Sequence, residues 1–355
     1  MSGAAFRTGV NEGCAARLKS RTVYGVPDPV LLKPNFYKER IMTKVFIDGS
    51  EGTTGLRIFE RFEKRDDVEI IRIDPELRKD PAERKRLINS SDITFLCLPD
   101  AAAIESVGLV ENENVVIIDT STAHRTEPGW AYGFPELSDA HRENIVKGKR
   151  IAVPGCHASG FISLVYPLVK SGLMPSSYPV SAFSLTGYSG GGKKMIAAYE
   201  AEEKTNDLFA PREYGLSQKH KHLKEMKAVC GLDRAPLFSP IVDDYYSGMV
   251  VSVGLYADML KEGTSVESVH EMLSKFYGGS RFVTVAPLDD PVCTTGFLPG
   301  NTLSGYDGMK LYVTGNDERI LVSSQFDNLG KGASGAAMQC MNLVLGCDEA
   351  KGLNI

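Results

Sequence analysis

The chain has 355 residues, more than one hydrophobic core usually accommodates, which predicts two domains with a cleft between them. Apolar residues make up 43% and charged residues 24% of the sequence, and no apolar run approaches the roughly 18 residues that span a bilayer. The formal net charge is −5 with both signs interspersed, so the surface offers no broad basic face to a nucleic acid. These properties indicate a soluble globular protein with neither a membrane nor a nucleic acid as partner.

Two features of the composition bear on the compartment. The sequence holds seven cysteines without a CxxC pair, which indicates free thiols in a reducing compartment such as the cytoplasm. Residues 1–41 show little hydrophobic periodicity and the first convincing strand begins at Lys44, so we expect residues 1–41 to be a dispensable extension. Their arginine-containing, acid-poor composition also fits an organellar transit peptide, and Met42 could be the initiator.

The segment from Lys44 to Pro154 alternates short apolar runs with amphipathic, charged stretches. The apolar runs are KVFID, EIIRID, ITFLCLP, VVIID and RIAVP. Strands that alternate with helices predict an α/β fold with a doubly wound parallel sheet of the Rossmann type, which binds a nucleotide. We assign residues 42–157 to this nucleotide-binding domain.

After Cys156 the pattern changes to longer β-like runs. These are PVSAFSLTG, GMVVSVGLYA, KLYVTG and RILVSSQFD, with a helix near residues 264–276. They predict an antiparallel α+β domain over residues 158–328. A final helix from about Lys331 to Leu345 starts with small residues that permit close approach to another element or a ligand, and we group residues 329–348 with the nucleotide-binding domain.

The sequence DGSEGTTGLRI directly follows the first predicted strand and opens a helix. Its glycines Gly49, Gly52 and Gly55, with Thr53 and Thr54 between them, lie where a dinucleotide pyrophosphate meets free N–H groups and the positive helix end. The spacing is GxxGxxG rather than the commoner GxGxxG, and the alternative is a tight turn that needs glycine for its φ angles. The strand–loop–helix context favours nucleotide binding.

The end of the second predicted strand indicates which dinucleotide is bound. Asp74 stands where an acid would take the ribose hydroxyls of NAD, but Arg72, Arg78 and Lys79 crowd the same region and would attract a 2′-phosphate. The alternative is that these cations form a solvated helix face. We therefore predict NADP(H) as the cofactor.

Cys156 lies in RIAVPGCHASGFISLV, where a β-like run ends, a glycine allows a sharp turn and an apolar helix follows. At a helix N-terminus the macrodipole and unpaired N–H groups stabilise a thiolate and can also receive an oxyanion. This setting predicts a nucleophile that attacks an acyl phosphate and forms a thioester. The alternative, an inert buried thiol, fits Cys97 and Cys340 better than it fits Cys156.

A histidine is the expected general acid or base, because its charge changes near neutral pH. The sequence QKHKHLKEM offers His220 and His222. We favour His222, because Glu225 lies three residues further on and could orient its ring if a helix begins here. Two alternatives stay open: the histidines face solvent, or they hold a metal, although no third ligand stands out. The predicted cysteine and histidine chemistry needs no metal.

Two loops supply candidate groups for a phosphate. Arg125 follows the fourth strand in TAHRT, and YSGGGKK contributes Ser189, the amides from Gly190 to Gly192, and Lys193. We expect both loops to face the cleft. The alternatives are that Arg125 pairs with Glu127 and that the glycine run is a flexible connection.

Six motifs occur in the order found in one enzyme family. They are GSEGTTGLRI, STAHRTEPGWAYGFPEL, VPGCHASGF, GYSGGGKKMIAAYE, QKHKHLKEM and DNLGKGASGAAMQCMNLVLG. With them, nearly everything after Met42 resembles the shorter, type 2 class of N-acetyl-γ-glutamyl-phosphate reductase. The resemblance implies a Rossmann domain joined to the catalytic α+β domain shared by aspartate-semialdehyde and glyceraldehyde-3-phosphate dehydrogenases.

The resemblance also implies an activity and residue roles. The activity is the NADPH-dependent reduction of N-acetyl-γ-glutamyl phosphate in arginine biosynthesis, by a homo-oligomer whose subunits meet through the second domain. Cys156 aligns with the nucleophile, His222 and Glu225 with the H-x-x-E pair of the family, and Asn328 with the nicotinamide side of the site. Where the family has Tyr-Pro-Thr-Gly after the cysteine, residues 157–160 read HASG, a departure that could change the pKa of the nucleophile.

Two other functions compete with this interpretation. Another semialdehyde dehydrogenase, acting for example on aspartyl phosphate, would keep the thioester and change the contacts to the far end of the substrate. A non-catalytic NADP-binding sensor would keep the fold, but it gives no reason for the cysteine and histidine together.

Overall fold

Two β-sheets organise the part of the chain that the structure describes. The structure is a computed structural model, and it describes residues 42–63 and 65–355. The expected extension, residues 1–41, lies outside the described residues. Within the described residues, no helix combines the length and the apolar character needed to cross a membrane.

The first sheet has six strands, which pair in parallel throughout in the order β2-β1-β3-β4-β6-β5. The strands are β1 (Thr43–Asp48), β2 (Val68–Ile71), β3 (Ile93–Leu96), β4 (Val116–Asp119), β5 (Ala131–Tyr132) and β6 (Arg150–Ala152). The helices between them are α1 (Thr53–Phe62), α2 (Pro81–Ser90), α3 (Asp100–Gly108) and α4 (Asp139–Lys147). The predicted doubly wound parallel sheet is confirmed. Its strand order reverses between β1 and β3, where sheets of this type bind their ligands.

Apolar side chains cover both faces of the first sheet. Val45 and Ile47 of β1 pack on one face with Phe62 of α1, and Phe46 packs on the other face with Leu87 of α2. A strand buried on both faces appears in a sequence as a continuous apolar run rather than an alternation. The segments KVFID and VVIID are therefore recognisable in the sequence as continuous apolar runs.

The second sheet has seven strands in the order β11-β12-β13-β10-β7-β9-β8. They are β7 (Ser181–Gly187), β8 (Arg212–Glu213), β9 (Leu237–Asp243), β10 (Met249–Tyr256), β11 (Val283–Val285), β12 (Met309–Gly315) and β13 (Arg319–Phe326). The pairs β7–β9 and β11–β12 are parallel, and the remaining pairs are antiparallel. The α+β class is confirmed, but the expectation of a purely antiparallel sheet is wrong. The long connection between β7 and β9 explains the first parallel pair, since a crossover of about a dozen or more residues permits it.

The helices of this half are α5 (Cys156–Lys170), α6 (Gly192–Tyr199), α7 (Leu223–Cys230), α8 (Val266–Phe276) and α9 (Pro291–Thr295). Helix α5 crosses β10 and β13, where its residues Phe161 and Val165 are fully buried. Gly160 permits this approach, because a Cβ there would lie 2.4 Å from a methyl carbon of Val251. Since α5 begins at Cys156, the packing of this helix fixes the predicted nucleophile in place.

After β13 the chain returns to the first sheet. A π-helical turn, Gly330–Ser334, leads into α10 (Gly335–Leu345). Met338 and Met341 of α10 belong to the apolar core on the β1 and α1 side of the first sheet. The last helix therefore packs with the parallel sheet although it follows the second sheet in the sequence.

A buried ion pair fixes the π-helical turn beside Cys156. Lys331 is 2% exposed, and its Nζ lies 2.8 Å from both carboxylate oxygens of Glu136. The ammonium also lies 4.9 Å from the ring centroid of Phe134. The next residue, Gly332, would place a Cβ only 3.0 Å from the Cβ of Cys156, so a larger residue would crowd the nucleophile.

Candidate active site

Cys156 occupies the first position of α5, after a turn that begins where β6 ends. Gly155 is the N-cap residue, and a Cβ at this position would lie 2.4 Å from both Arg125 Nη1 and His222 Nε2. The turn thus packs against two of the predicted site residues with no room for a side chain. The structure shows the strand–turn–helix setting that the sequence predicted for Cys156.

Burial dominates the protonation of Cys156. It raises the pKa of the thiol above its ordinary value, although the backbone N–H of His157 and the charges of Arg125 and Lys221 act in the opposite direction. The expectation that the helix N-terminus would hold a thiolate is therefore not met in the free protein. Cys156 therefore carries a proton at neutral pH, and the predicted nucleophilic role would require a base to remove it.

His222 lies beside the turn as the candidate base. It is the N-cap residue of α7, it is 5% exposed, and its Nδ1 has no hydrogen-bond partner among the described residues. Burial and then the charge of Arg125 lower the pKa of His222 well below its ordinary value, so the ring is neutral near pH 7. A neutral imidazole is the form that accepts a proton.

His220 packs against His222. The two ring centroids are 4.7 Å apart, and Nδ1 of His220 accepts the backbone N–H of His222 at 3.2 Å. Burial lowers the pKa of His220 to about 4, so this ring is neutral as well. Among residues 42–63 and 65–355, no group of three or more His, Cys, Asp or Glu side chains is arranged to hold a metal ion.

Glu225 does not orient His222 as the sequence suggested. Its Oε2 lies 2.9 Å from Nη1 of Arg125, and its Oε1 accepts the hydroxyl of Tyr132 at 2.7 Å and the backbone N–H of Gly155 at 3.0 Å. These three donors occupy the carboxylate, which is why it makes no hydrogen bond to the imidazole. Glu225 instead holds the turn that precedes Cys156.

Arg125 is engaged by the protein on all three of its nitrogen atoms. Besides the pair with Glu225, its Nε donates to the carbonyl of Val153 at 2.8 Å and its Nη2 to the carbonyl of Thr120 at 3.0 Å. The alternative pairing with Glu127 does not occur, since that carboxylate lies 3.2 Å from Lys224. Arg125 lines the cleft, but a buried carboxylate already balances its charge.

A cleft of about 550 Å³ joins the two halves at Cys156. It brings together eight of the predicted site residues: Gly52, Thr54, Arg125, Cys156, Ser189, Gly190, His222 and Asn328. Lys193 is exposed and is not among the residues that line it. The Nδ2 of Asn328 donates to Ser189 Oγ at 3.0 Å, and its Oδ1 accepts the N–H of Gly248 at 2.8 Å, so Asn328 connects the cleft-lining loop at Ser189 to the residue before β10.

His157, which departs from the family pattern, is a buried structural residue. Its Nδ1 lies 2.7 Å from Ser184 Oγ and its Nε2 lies 2.6 Å from the hydroxyl of Tyr214. Burial lowers the pKa of His157 to about 3, so the ring is neutral. Both of its ring nitrogens are hydrogen-bonded.

Sequence reasoning missed Tyr214 and Lys221, which also line the cleft. The position of Lys221 between two histidines was an available signal, whereas nothing in the sequence singled out Tyr214.

A second cavity, of about 770 Å³, lies at the carboxyl ends of β1 and β2. Gly49 has φ +88°, and a Cβ there would lie 2.5 Å from the carbonyl oxygen of Cys97. A Cβ on Gly55 would lie 2.5 Å from the carbonyl oxygen of Gly49. These glycines are thus required by the turn itself, and the turn opens at the N-terminus of α1 onto a space suited to a dinucleotide. The two cavities share Gly52 in their walls, so one extended ligand could reach from β2 to Cys156.

The wall of this second cavity carries the three cations predicted to select the cofactor. Arg72, Arg78 and Lys79 all line it. The guanidinium of Arg72 lies 4.4 Å from the ring centroid of Phe59, and Arg78 makes an exposed pair with Glu51. Asp74 is not among the lining residues, and its carboxylate accepts the N–H of Glu76 at 2.9 Å.

The chain matches two domain families in succession. It matches the semialdehyde dehydrogenase NAD-binding domain over residues 65–145 and the semialdehyde dehydrogenase dimerisation domain over residues 156–328. Its fold is similar to aspartate semialdehyde dehydrogenase from Francisella tularensis, with a TM-score of 0.66 and 15% identity over 86% of this chain and 100% of that one. A second similar structure is aspartate semialdehyde dehydrogenase II from Vibrio cholerae, with a TM-score of 0.65 and 15% identity over 86% and 99% of the two chains. Fold and matched domains define an oxidoreductase of the semialdehyde dehydrogenase class with a nicotinamide cofactor.

Sequence relatives give the family within this class. N-acetyl-gamma-glutamyl-phosphate reductase 2 of Nostoc sp. is 43% identical over 87% of this chain and 99% of its own length. N-acetyl-gamma-glutamyl-phosphate reductase of Sinorhizobium medicae is 46% identical over 85% of this chain and 98% of its own length. The chain belongs to the N-acetyl-γ-glutamyl-phosphate reductase family, which confirms the resemblance seen in the sequence motifs.

The protonation of Cys156 can be measured by alkylation. Because burial raises the pKa of its thiol, the thiolate fraction should grow about tenfold per pH unit between pH 7 and 9. The alkylation rate of the free protein with iodoacetamide, followed on the Cys156 peptide by mass spectrometry, should rise accordingly without a plateau. A Cys156→Ser variant gives the background, and a rate that is constant between pH 6 and 8 would show a resting thiolate instead.

Proposed function

We propose that this protein reduces N-acetyl-γ-glutamyl phosphate to N-acetylglutamate 5-semialdehyde with release of phosphate, a step of arginine biosynthesis, using NADPH. The observation that carries the proposal is Cys156 at a helix N-terminus, near a neutral His222, in a cleft that shares wall residues with the cavity at the ends of β1 and β2. The relatives that are 43% and 46% identical bear the name of this reaction. They support the substrate, and the geometry supports the chemistry.

The mechanism begins with transfer of the thiol proton of Cys156 to His222. The sulfur attacks the γ-carbonyl carbon, a C–S bond forms, the bond from carbon to the phosphate oxygen breaks, and the phosphate leaves with the proton from His222. The N–H groups at the start of α5 are placed to stabilise the carbonyl oxygen during this attack. When bound, the reduced nicotinamide supplies the hydride that brings the thioester to the aldehyde level. Cleavage of the C–S bond releases the aldehyde, and a proton from water restores the thiol.

The assignment of NADPH rests on the cavity at the end of β2. Arg72, Arg78 and Lys79 line it, and the Asp74 carboxylate, which would favour ribose hydroxyls, lies outside its wall. A 2′-phosphate in this cavity would lie close to these cations, and the Asp74 carboxylate would not repel it. The glycine turn with Gly49 and Gly55 would hold the pyrophosphate.

The thioester mechanism is tested by running the reaction in reverse. Purified protein is mixed with N-acetylglutamate semialdehyde, inorganic phosphate and NADP, and the rise in NADPH absorbance is followed. Cys156→Ala and Cys156→Ser should lower kcat by at least about a thousandfold and leave the affinity for NADP within about twofold of the wild type.

Cys293→Ala is the matched control, since this cysteine lies outside the cleft and its variant should keep full activity. Near-normal turnover by Cys156→Ala, or a rate independent of phosphate, contradicts the mechanism. Aspartate semialdehyde is run in parallel, and a higher kcat/KM for that aldehyde would assign the protein to the alternative substrate.

The cofactor assignment is tested with Arg78→Ala. This variant removes a cation from the cavity wall together with an exposed pair to Glu51. Loss of one charge-assisted hydrogen bond to the 2′-phosphate should weaken NADPH binding about tenfold and leave NADH binding nearly unchanged. Isothermal titration with both dinucleotides gives the values. Arg86→Ala is the control, because Arg86 is exposed on α2 outside the cavity; equal losses for NADPH and NADH in Arg78→Ala would refute the assignment.

We also propose that the protein forms a dimer through the outer face of the second sheet. Phe183, Leu237, Tyr256 and Leu321 are 54%, 67%, 59% and 41% exposed, and the strand register places them on one face. Large apolar side chains exposed on one sheet face support an interaction site there, and the matched family is described as a dimerisation domain.

The dimer is tested by light scattering of Phe183→Glu at micromolar concentration. A buried, unpaired charge at the centre of the face should convert a dimeric wild type to a monomer. Phe297→Glu, which changes an exposed phenylalanine elsewhere on the surface, should leave the mass unchanged. A monomeric wild type would rule the proposal out.

We propose the cytoplasm as the compartment, because the cysteine pattern is that of free thiols. A transit-peptide role for residues 1–41 would instead direct the enzyme to an organelle matrix.

A further inference from the structure

The positively charged side chains on the wall of the active-site cleft differ in whether they have hydrogen-bond and ion-pair partners. Among the described residues that line it, the arginine and lysine side chains are Arg125 and Lys221. Arg125 is balanced by Glu225 at 2.9 Å and donates to two backbone carbonyls as well. Lys193, which the sequence offered for a phosphate, does not line the cleft. Lys221 is therefore the cation of the described cleft wall that has no ion-pair partner.

Lys221 stands between the two histidines of the site. It is exposed at the cleft, and within residues 42–63 and 65–355 it makes no hydrogen bond or ion pair. The rings of its neighbours, His220 and His222, are 4.7 Å apart. Its charge favours the thiolate of Cys156 and disfavours protonation of His222. The ammonium is thus close enough to act on both the nucleophile and the base.

Asp100, the acidic residue on the described cleft wall, would be the carboxylate partner for Lys221, but it already accepts hydrogen bonds from Thr122. Asp100 lines the same cleft, but one of its oxygens accepts the N–H of Thr122 at 2.8 Å and the other accepts the hydroxyl of Thr122. Against the effect of burial, these bonds and then the charge of Lys221 lower the pKa of Asp100. Asp100 attracts Lys221 from a distance without forming a pair, so the ammonium stays available to a ligand.

We propose that Lys221 binds the phosphate group of the substrate during its departure from the acyl carbon. The inference rests on the proposed function, in which the C–O bond breaks as the bond from Cys156 Sγ to carbon forms and the electron pair stays on the phosphate oxygen. The phosphate gains negative charge in this step, and an ammonium in the same cleft as Cys156 stabilises it. The same contact would capture inorganic phosphate in the reverse direction.

Steady-state kinetics in the reverse direction test the proposal. Lys221→Met should raise the KM for phosphate about tenfold to a hundredfold, the range for one charge-assisted hydrogen bond, and leave the KM for N-acetylglutamate semialdehyde within about twofold. Lys221→Arg should restore most of the phosphate affinity. Lys219→Met, two residues away, exposed and outside the cleft wall, should behave as the wild type.

Two results would overturn the proposal. If Lys221→Met raises the KM for the aldehyde and spares that for phosphate, Lys221 binds the carboxylate end of the substrate. If neither KM changes beyond the effect of Lys219→Met, Lys221 binds no substrate anion.

Protection of Cys156 separates this inference from the proposed function. Inorganic phosphate should slow the alkylation of Cys156 by iodoacetamide in the wild type, and Lys221→Met should need about tenfold or more phosphate for the same protection. Potassium chloride at matched ionic strength is the control. A wild type inactive with N-acetylglutamate semialdehyde but protected by phosphate through Lys221 would refute the proposed substrate and keep the phosphate site. Equal protection of wild type and Lys221→Met would refute the site whatever the activity.

Discussion

The Glu225 carboxylate connects the two halves of the molecule next to Cys156, the residue that carries the proposed chemistry. Glu225 belongs to α7 in the second half, whereas Arg125 and Tyr132 come from the first half and Gly155 from the turn between them. The carboxylate and the guanidinium are both buried, and the loss of one partner of such a pair costs about 3–5 kcal/mol because the other charge stays uncompensated. The position of Cys156, the predicted nucleophile, therefore depends on a contact between residues far apart in the sequence.

Burial sets the resting protonation of the site more than charge does. It raises the pKa of the Cys156 thiol and lowers that of the His222 imidazole, because both charged forms lose their hydration. The free site thus holds a neutral thiol and a neutral imidazole, and the proposed mechanism begins with proton transfer between them. Arg125 and Lys221 oppose burial at the thiol, and of the two only Lys221 has no carboxylate or carbonyl partner among the described residues and suits an anionic leaving group. A protonated thiol is also a poor target for oxidants between turnovers.

The sequence predicted what depends on local pattern. Strands of the first sheet are buried on both faces and appear as apolar runs, and the turn around Gly155 followed from a strand end, a glycine and an apolar helix. The parallel pair β7–β9 was missed, because pairing between distant strands leaves no local trace. The partner of Glu225 was missed for a related reason: sequence spacing placed His222 within reach, but Arg125 and Tyr132 converge on the carboxylate only in the folded chain. The same limit applies to His157, because its burial and its hydrogen bonds with Ser184 and Tyr214 arise only in the folded chain.

The charge balance of the cleft bears on which acyl phosphate fits it. A free α-amino acid such as aspartyl phosphate carries an ammonium, which would need an unpaired carboxylate close by. Among the described residues that line the cleft, the acidic side chain is Asp100, and its two oxygens are taken by Thr122. An N-acetylated substrate has a neutral amide at this position and needs no unpaired carboxylate. The charge balance of the cleft therefore supports an acetylated substrate over a free α-amino acid. The structurally similar aspartate semialdehyde dehydrogenases, whose name gives the unacetylated substrate, share the fold at only 15% identity.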